Sequence, residues 1–321
     1  MFVCNFCGSE YQSLKGIDYN DEGFFCDDCD CFTYFKETKN CHTFNLFLEE
    51  NGTKNLSSKP NIKFNKRLSL LRYPGGKSKM LPCIYQTLNK EKVKHFVEPY
   101  AGGCGVGLAL LDAKVIEHYV INDIDYGIYS LFSVIKTNPE QLINKLQNTT
   151  PSHTDFFNAR VKIQTGYSNC NILEAAWDLL ITNRLAYSGI VKANPLGGSY
   201  GTQQHLLSRW NPDNLIKRIT KIHSLCDHIT VKNQNAFEII EDYYWEPQTT
   251  IFIDPPYYQK GKQLYTHYYN EKQHRELSEL LFSLSAGCPG ADIILTYDNN
   301  SFIEDLYYWA PTEKIKLHYS I

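Results

Sequence analysis

Phe96-Val97-Glu98-Pro99-Tyr100-Ala101-Gly102-Gly103-Cys104-Gly105-Val106-Gly107 decides the fold. An apolar stretch ends in an acid, breaks at a proline, passes through four glycines and continues into the apolar run Leu108-Ala109-Leu110-Leu111. A buried strand feeding a glycine-rich turn and then a helix lets backbone approach a bound nucleotide at the carboxyl edge of a sheet. The next strand-like run, His118-Tyr119-Val120-Ile121, ends at Asn122-Asp123, where an acid is placed to accept hydrogen bonds from ribose hydroxyls. The dinucleotide fingerprint G-x-G-x-x-G fails, because from Gly103 and Gly105 the third glycine falls at Leu108. Nicotinamide chemistry therefore loses ground.

Outward from this stretch, short apolar runs alternate with longer helical patterns, as expected of an α/β fold with a mainly parallel sheet. A later strand, Thr249-Thr250-Ile251-Phe252-Ile253, runs straight into Asp254-Pro255-Pro256-Tyr257. Two prolines cannot donate to a sheet ladder, so the strand must end there and leave the Asp254 carboxylate and Pro255 carbonyl at the carboxyl edge. Two converging acceptors suit an exocyclic amine, whose two N–H groups they would engage, and Tyr257 offers a face for stacking a base. The turn Arg72-Tyr73-Pro74-Gly75-Gly76-Lys77-Ser78 invites a phosphate-loop reading, but the Walker pattern needs a glycine where Leu71 stands. What remains is a tight turn presenting an aromatic ring and a lysine.

Composition bounds the partners. The chain has 321 residues, 43% of them hydrophobic, and a formal charge of −3, so any surface for a polyanion must be local. One such stretch exists: from Asn51 to Lys90 there is no acid, while Lys54, Lys59, Lys63, Lys66, Arg67, Arg72, Lys77, Lys79 and Lys90 are basic. No run approaches the roughly 18 apolar residues of a membrane span, and the start lacks a signal-peptide layout, so no membrane partner and a cytoplasmic location are expected. Cys4 and Cys7, then Cys26 and Cys29, form two C-x-x-C knuckles with the spacing of a Cys₄ zinc ribbon. Four thiolates leave no open coordination position, so that zinc is expected to be structural. Residues 1–50 thus read as a zinc-ribbon-like module, 51–66 as a basic polar linker, and 67–321 as the main domain, with a helical insertion at about 151–228.

The four blocks Arg72–Lys77, Val97–Gly103, Asn122–Asp125 and Asp254–Tyr257 occur in the order found in the Dam-like family of DNA adenine methyltransferases. Asn183–Gly189, Tyr265–Tyr269 with His274, and Leu295–Asn299 resemble further blocks of that family, so the resemblance spans most of 70–321. It implies a Rossmann-like sheet that binds S-adenosylmethionine, and methyl transfer to adenine N6 in double-stranded DNA after base flipping. Asp254, Pro255, Pro256 and Tyr257 become the catalytic set. Tyr73, Gly76, Lys77, Glu98, Pro99, Gly102, Gly103 and Asp123 become cofactor residues, and Asn235 takes a position where the family often has an acid. The insertion corresponds to the DNA-reading region, with Arg72, Arg184 and Arg209 as DNA contacts. A monomer is expected, with the ribbon as a candidate contact for a protein partner. Two other readings stay open: transfer to another conjugated amine such as cytosine N4, which an Asp at position 254 disfavours, and a zinc-ribbon DNA-binding protein with a decayed transferase fold.

Overall fold

The computed structural model describes residues 43–51, 62–72, 75–259, 261–264, 266–287 and 289–317, together with four short strands nearer the amino terminus. Those strands form two antiparallel ladders: β1 (Phe2–Val3) with β2 (Glu10–Tyr11), and β3 (Gly23–Phe25) with β4 (Phe32–Tyr34).

The main sheet has seven strands: β5 (Phe44–Asn51), β6 (His95–Glu98), β7 (His118–Asn122), β8 (Ile229–Lys232), β9 (Thr249–Ile253), β10 (Asp292–Asp298) and β11 (Thr312–Leu317). Their order is β11-β5-β10-β9-β6-β7-β8, and every pairing is parallel. From β6 the chain winds outward through β7 and β8, then returns to β9 and β10 on the other side. The order therefore reverses between β6 and β9, which opens a crevice at the carboxyl ends of those two strands.

Both faces of the sheet are covered, which is why its strands read as near-continuous apolar runs. Successive side chains go to opposite faces. Phe96 and Phe252 join a core built with helices Leu81–Thr87, Gly105–Asp112, Tyr126–Thr137 and Ile172–Leu185, while Val97, Ile251 and Ile253 join a second core with helices Ala236–Tyr244 and Glu271–Ala286. Gly107 is fixed by this packing, since a Cβ there would stand 2.1 Å from the Tyr119 ring.

Between β7 and β8 the chain is helical, as the sequence pattern suggests. Helices His153–Gln164, Ile172–Leu185 and Pro212–His223 contribute Phe156, Leu180, Leu215 and Ile219 to the same core as the sheet. The boundary drawn at residue 50 moves. Phe44–Asn51 is a strand of the main sheet, paired with β10 from Phe44↔Ile293 to Glu49↔Asp298 and with β11 on its other side. The apolar residues Leu46 and Leu48 are buried in the second core and Phe47 in the first, so this strand is held by both faces of the main domain. Cys4, Cys7, Cys26, Cys29 and Tyr73 lie outside the described residues.

Candidate active site

A parallel sheet gathers the carboxyl ends of its strands along one edge, and here that edge is acidic. Glu49 lies two residues before the end of β5, Glu98 ends β6, Asp123 follows β7, Asp254 follows β9 and Asp298 ends β10. A cavity of about 230 Å³ opens over the crevice between β6 and β9. Gly76, Lys77, Glu98, Gly102, Gly103, Asp123, Asp254 and Pro256 all line it, bringing together eight of the residues singled out from sequence.

The glycine turn is organised by carboxylates. Glu98 Oε1 accepts from the Gly107 N–H at 2.8 Å, and Asp123 accepts from the N–H groups of Gly102 at 2.8 Å and Asp125 at 2.9 Å. Burial, reinforced by the charges of Asp254 and Asp123, pushes the Glu98 carboxyl up to about 8. Burial and the neighbouring Asp125 raise Asp123 to about 7. Asn122, fully buried, ties three strand ends together: its Nδ2 donates to the carbonyls of Pro99 and Gln234, and its Oδ1 accepts from the Gln234 N–H.

Across the crevice, Lys77 sits on a single turn of 3₁₀ helix, Lys77–Lys79, with its side chain 2% exposed. Its Nζ lies 2.6 Å from Asp254 Oδ1 and 2.8 Å from Oδ2. Thr296 Oγ1 donates to Asp254 Oδ1 at 2.8 Å. Desolvation raises the Asp254 carboxyl and the Lys77 charge opposes that rise. Asp298 accepts from the N–H groups of Tyr258 and Gln259, both at 3.2 Å, and so clamps the turn that follows Asp254.

Other residues fall in places the sequence did not indicate. Tyr257 is 8% exposed, with its hydroxyl donating to Glu49 Oε2 at 2.8 Å and accepting from Lys77 Nζ at 2.7 Å. Its ring carries Lys77 Nζ 4.7 Å from the centroid, so the ring is packed inward beside the lysine. Pro99 is buried beneath the turn, and Asn235 caps helix Ala236–Tyr244 by accepting from the Phe237 N–H at 2.9 Å. Asn183 joins two sequence blocks: its Oδ1 accepts from Arg72 N at 2.7 Å, while Nδ2 donates to the carbonyls of Arg72 and Gly189.

The arginines cluster. Arg184 donates to the Arg209 carbonyl at 2.8 Å, and Arg72 donates to that of Ala186 at 3.3 Å. Burial foremost, and the guanidiniums of Arg218, Arg72 and Arg209 after it, bring Arg184 down to about 10. Among the described residues no ion pair joins these arginines to a carboxylate. Glu49 carried no motif signal, and Asn122, although part of the Asn122–Asp125 block, gains its role only where three strands meet.

With this geometry established, similarity to known proteins can be placed on it. A family model described as D12 class N6 adenine-specific DNA methyltransferase matches residues 73–321. A protein named Type II methyltransferase M.MjaIII, from Methanocaldococcus jannaschii, is 23% identical over 269 residues, covering 76% of this chain and 89% of the relative. Type II methyltransferase M1.LlaDCHI of Lactococcus lactis subsp. cremoris is 27% identical over 256 residues, covering 74% and 83%. A DNA adenine methylase of Haemophilus influenzae is 22% identical over 286 residues, covering 84% and 91%. The matched segment holds both halves of the crevice, the glycine turn after β6 and the Asp254 turn after β9, and the chain belongs to the D12 class of N6 adenine-specific DNA methyltransferases.

Proposed function

We propose that the crevice binds S-adenosylmethionine over the β6 turn and methylates the N6 amine of an adenine held at the Asp254 turn. The observation that carries this reading is the juxtaposition of Glu98, Asp123 and Asp254 around one cavity, with Lys77 as the cation among its lining residues. Desolvation raises the proton affinity of all three carboxyls, and at Glu98 the charges of Asp254 and Asp123 add to it, which fits a ligand that is itself cationic. When bound, S-adenosylmethionine supplies an electrophilic methyl group on a sulfonium centre. Asp123 would hold the ribose hydroxyls, and Glu98 and the Gly102–Gly103 backbone would shape the turn around the rest of that ligand.

Asp254 and the Pro255 carbonyl act on the amine. Accepting its two hydrogens favours a more tetrahedral nitrogen with a localised lone pair, and the Asp254 carboxylate then takes up the charge that develops as nitrogen is alkylated. Base flipping supplies that amine from the duplex. The cluster of Arg72, Arg184 and Arg209 supports DNA binding, because burial and neighbouring guanidiniums lower Arg72 and Arg184, and a phosphate would relieve that repulsion. Along the sequence, Cys4 and Cys7 fall between the residues of β1 and β2, and Cys26 and Cys29 between those of β3 and β4. That arrangement supports a structural zinc held by those four thiolates.

The test separates chemistry from binding. Asp254→Ala is expected to reduce methyl transfer by on the order of 10²–10⁴-fold while cofactor affinity stays within a few-fold. Asp123→Ala is expected to weaken cofactor affinity first. Near-parental turnover by Asp254→Ala would remove it from the chemistry, and an unchanged dissociation constant for Asp123→Ala would remove that residue from the site.

A further inference from the structure

Strand β5 ends inside the active site, although it precedes the family-matched segment that begins at residue 73. Its alternation sends Leu46 and Leu48 to one face of the sheet and Phe47 and Glu49 to the other, toward Lys77. The Glu49 side chain is 5% exposed. Its Oε1 stands 3.2 Å from Lys77 Nζ, and its Oε2 accepts the Tyr257 hydroxyl at 2.8 Å. The backbone around it is equally tied in: the Asn299 N–H donates to the Glu49 carbonyl at 3.0 Å, and the Asn299 amide donates to Glu50 Oε1 at 2.9 Å.

Lys77 therefore stands between two carboxylates, the buried Glu49 and the partly exposed Asp254. A buried ammonium facing one carboxylate closes on it and occupies its lone pairs; facing two, it divides its donors between them. Lys77 has three N–H donors, and Gly75 O, Tyr257 Oη, Asp254 and Glu49 all compete for them. With Glu49 uncharged, the balance moves toward Asp254, whose oxygens the target amine needs. At the same time Glu49 holds the hydroxyl of Tyr257, the last residue of the Asp254 turn.

We infer that Glu49 is a positioning residue of this active site, sharing the Lys77 ammonium with Asp254 and holding the Tyr257 hydroxyl, so that Lys77 does not close on the Asp254 carboxylate alone. The inference rests on the assignment of the Asp254 turn as the site of chemistry. It makes β5 a working part of the catalytic unit.

Steady-state kinetics of the full chain on duplex DNA test it. Glu49→Gln keeps the side chain's size and an acceptor for Tyr257 but removes the charge. Turnover is expected to fall about ten-fold or more, with cofactor affinity and melting temperature nearly unchanged. Glu49→Asp, which retains the charge, is expected to recover part of the rate. A folded Glu49→Gln with kcat within two-fold of the parent overturns the inference. So does a parallel loss of kcat, cofactor affinity and thermal stability in both variants, which would make Glu49 a packing residue. Asp254→Ala, assayed alongside, separates the two levels. Parental activity there would defeat the site assignment itself, whereas an inactive Asp254→Ala beside a fully active Glu49→Gln would defeat only the role of Glu49.

Discussion

Asp254 and Glu98 are acids at the carboxyl ends of neighbouring strands, yet their surroundings set them different tasks. Asp254 is neutralised by Lys77 at 2.6 Å, whereas Glu98 accepts a backbone N–H and sits at about 8. A carboxyl raised on folding is favoured in its protonated form, so its contribution to stability is present below its unfolded value and is lost as pH rises through the folded one. For Glu98 and Asp123 that loss runs from the ordinary carboxyl range, 4.5 and 3.8, up to about 8 and about 7 in the free protein. A cationic cofactor favours their ionised forms. Its binding at pH 7 should therefore release protons, and its affinity should fall as pH drops from 8 to 6. Calorimetry in buffers of differing ionisation enthalpy reads this directly; identical heats in all buffers would show that neither carboxyl changes state. The acids on the β6, β7 and β9 edge could be read from sequence because each ends an apolar run at a turn. The inward seat of Tyr257 could not, since it depends on Glu49 and Lys77, which stand 208 and 180 residues away.

At the scale of elements, two segments more than a hundred residues apart are locked by backbone. Gly189 has φ +76°, and a Cβ there would stand 2.0 Å from the Arg72 carbonyl oxygen, the same oxygen that accepts from Asn183. Gly189→Ala should cost about 3 kcal/mol of stability and displace the Arg72–Lys77 turn, lowering cofactor affinity as well. A melting temperature equal to the parent's would show that the turn adapts without cost. Strands β6, β7 and β9 were legible from apolar runs that lead into Glu98, Asn122 and Asp254. Strand β5 was not. Phe44-Asn45-Leu46-Phe47-Leu48-Glu49 sits beside Cys41 and His42 in a cysteine-rich stretch, and its partner Ile293 is 249 residues away from Phe44. Parallel pairing leaves no local turn signal, so short-range pattern assigned the strand to the wrong unit.

For the whole molecule, this placement changes where the chain can be divided. A chain beginning near residue 61 would lose β5 from between β10 and β11 and remove Leu46, Phe47 and Leu48 from both cores. It should fold poorly and lack activity, whereas one beginning at Thr43 should bind cofactor and methylate DNA. Equal activity of the two would place β5 outside the catalytic unit. The zinc proposed above would lie in the part before that cut: the full chain should hold one zinc ion, and chelation should leave transfer by the chain from Thr43 untouched. A full chain without zinc would end the ribbon reading. The family, the crevice and the Asp254 turn converge on a single chemical outcome. Incubating the full chain with duplex DNA and S-adenosylmethionine labelled in its methyl group, then digesting the DNA to nucleosides, reads that outcome directly. The account predicts label in N6-methyladenine and its loss with Asp254→Ala; label in N4-methylcytosine, or none in any nucleoside, would contradict it.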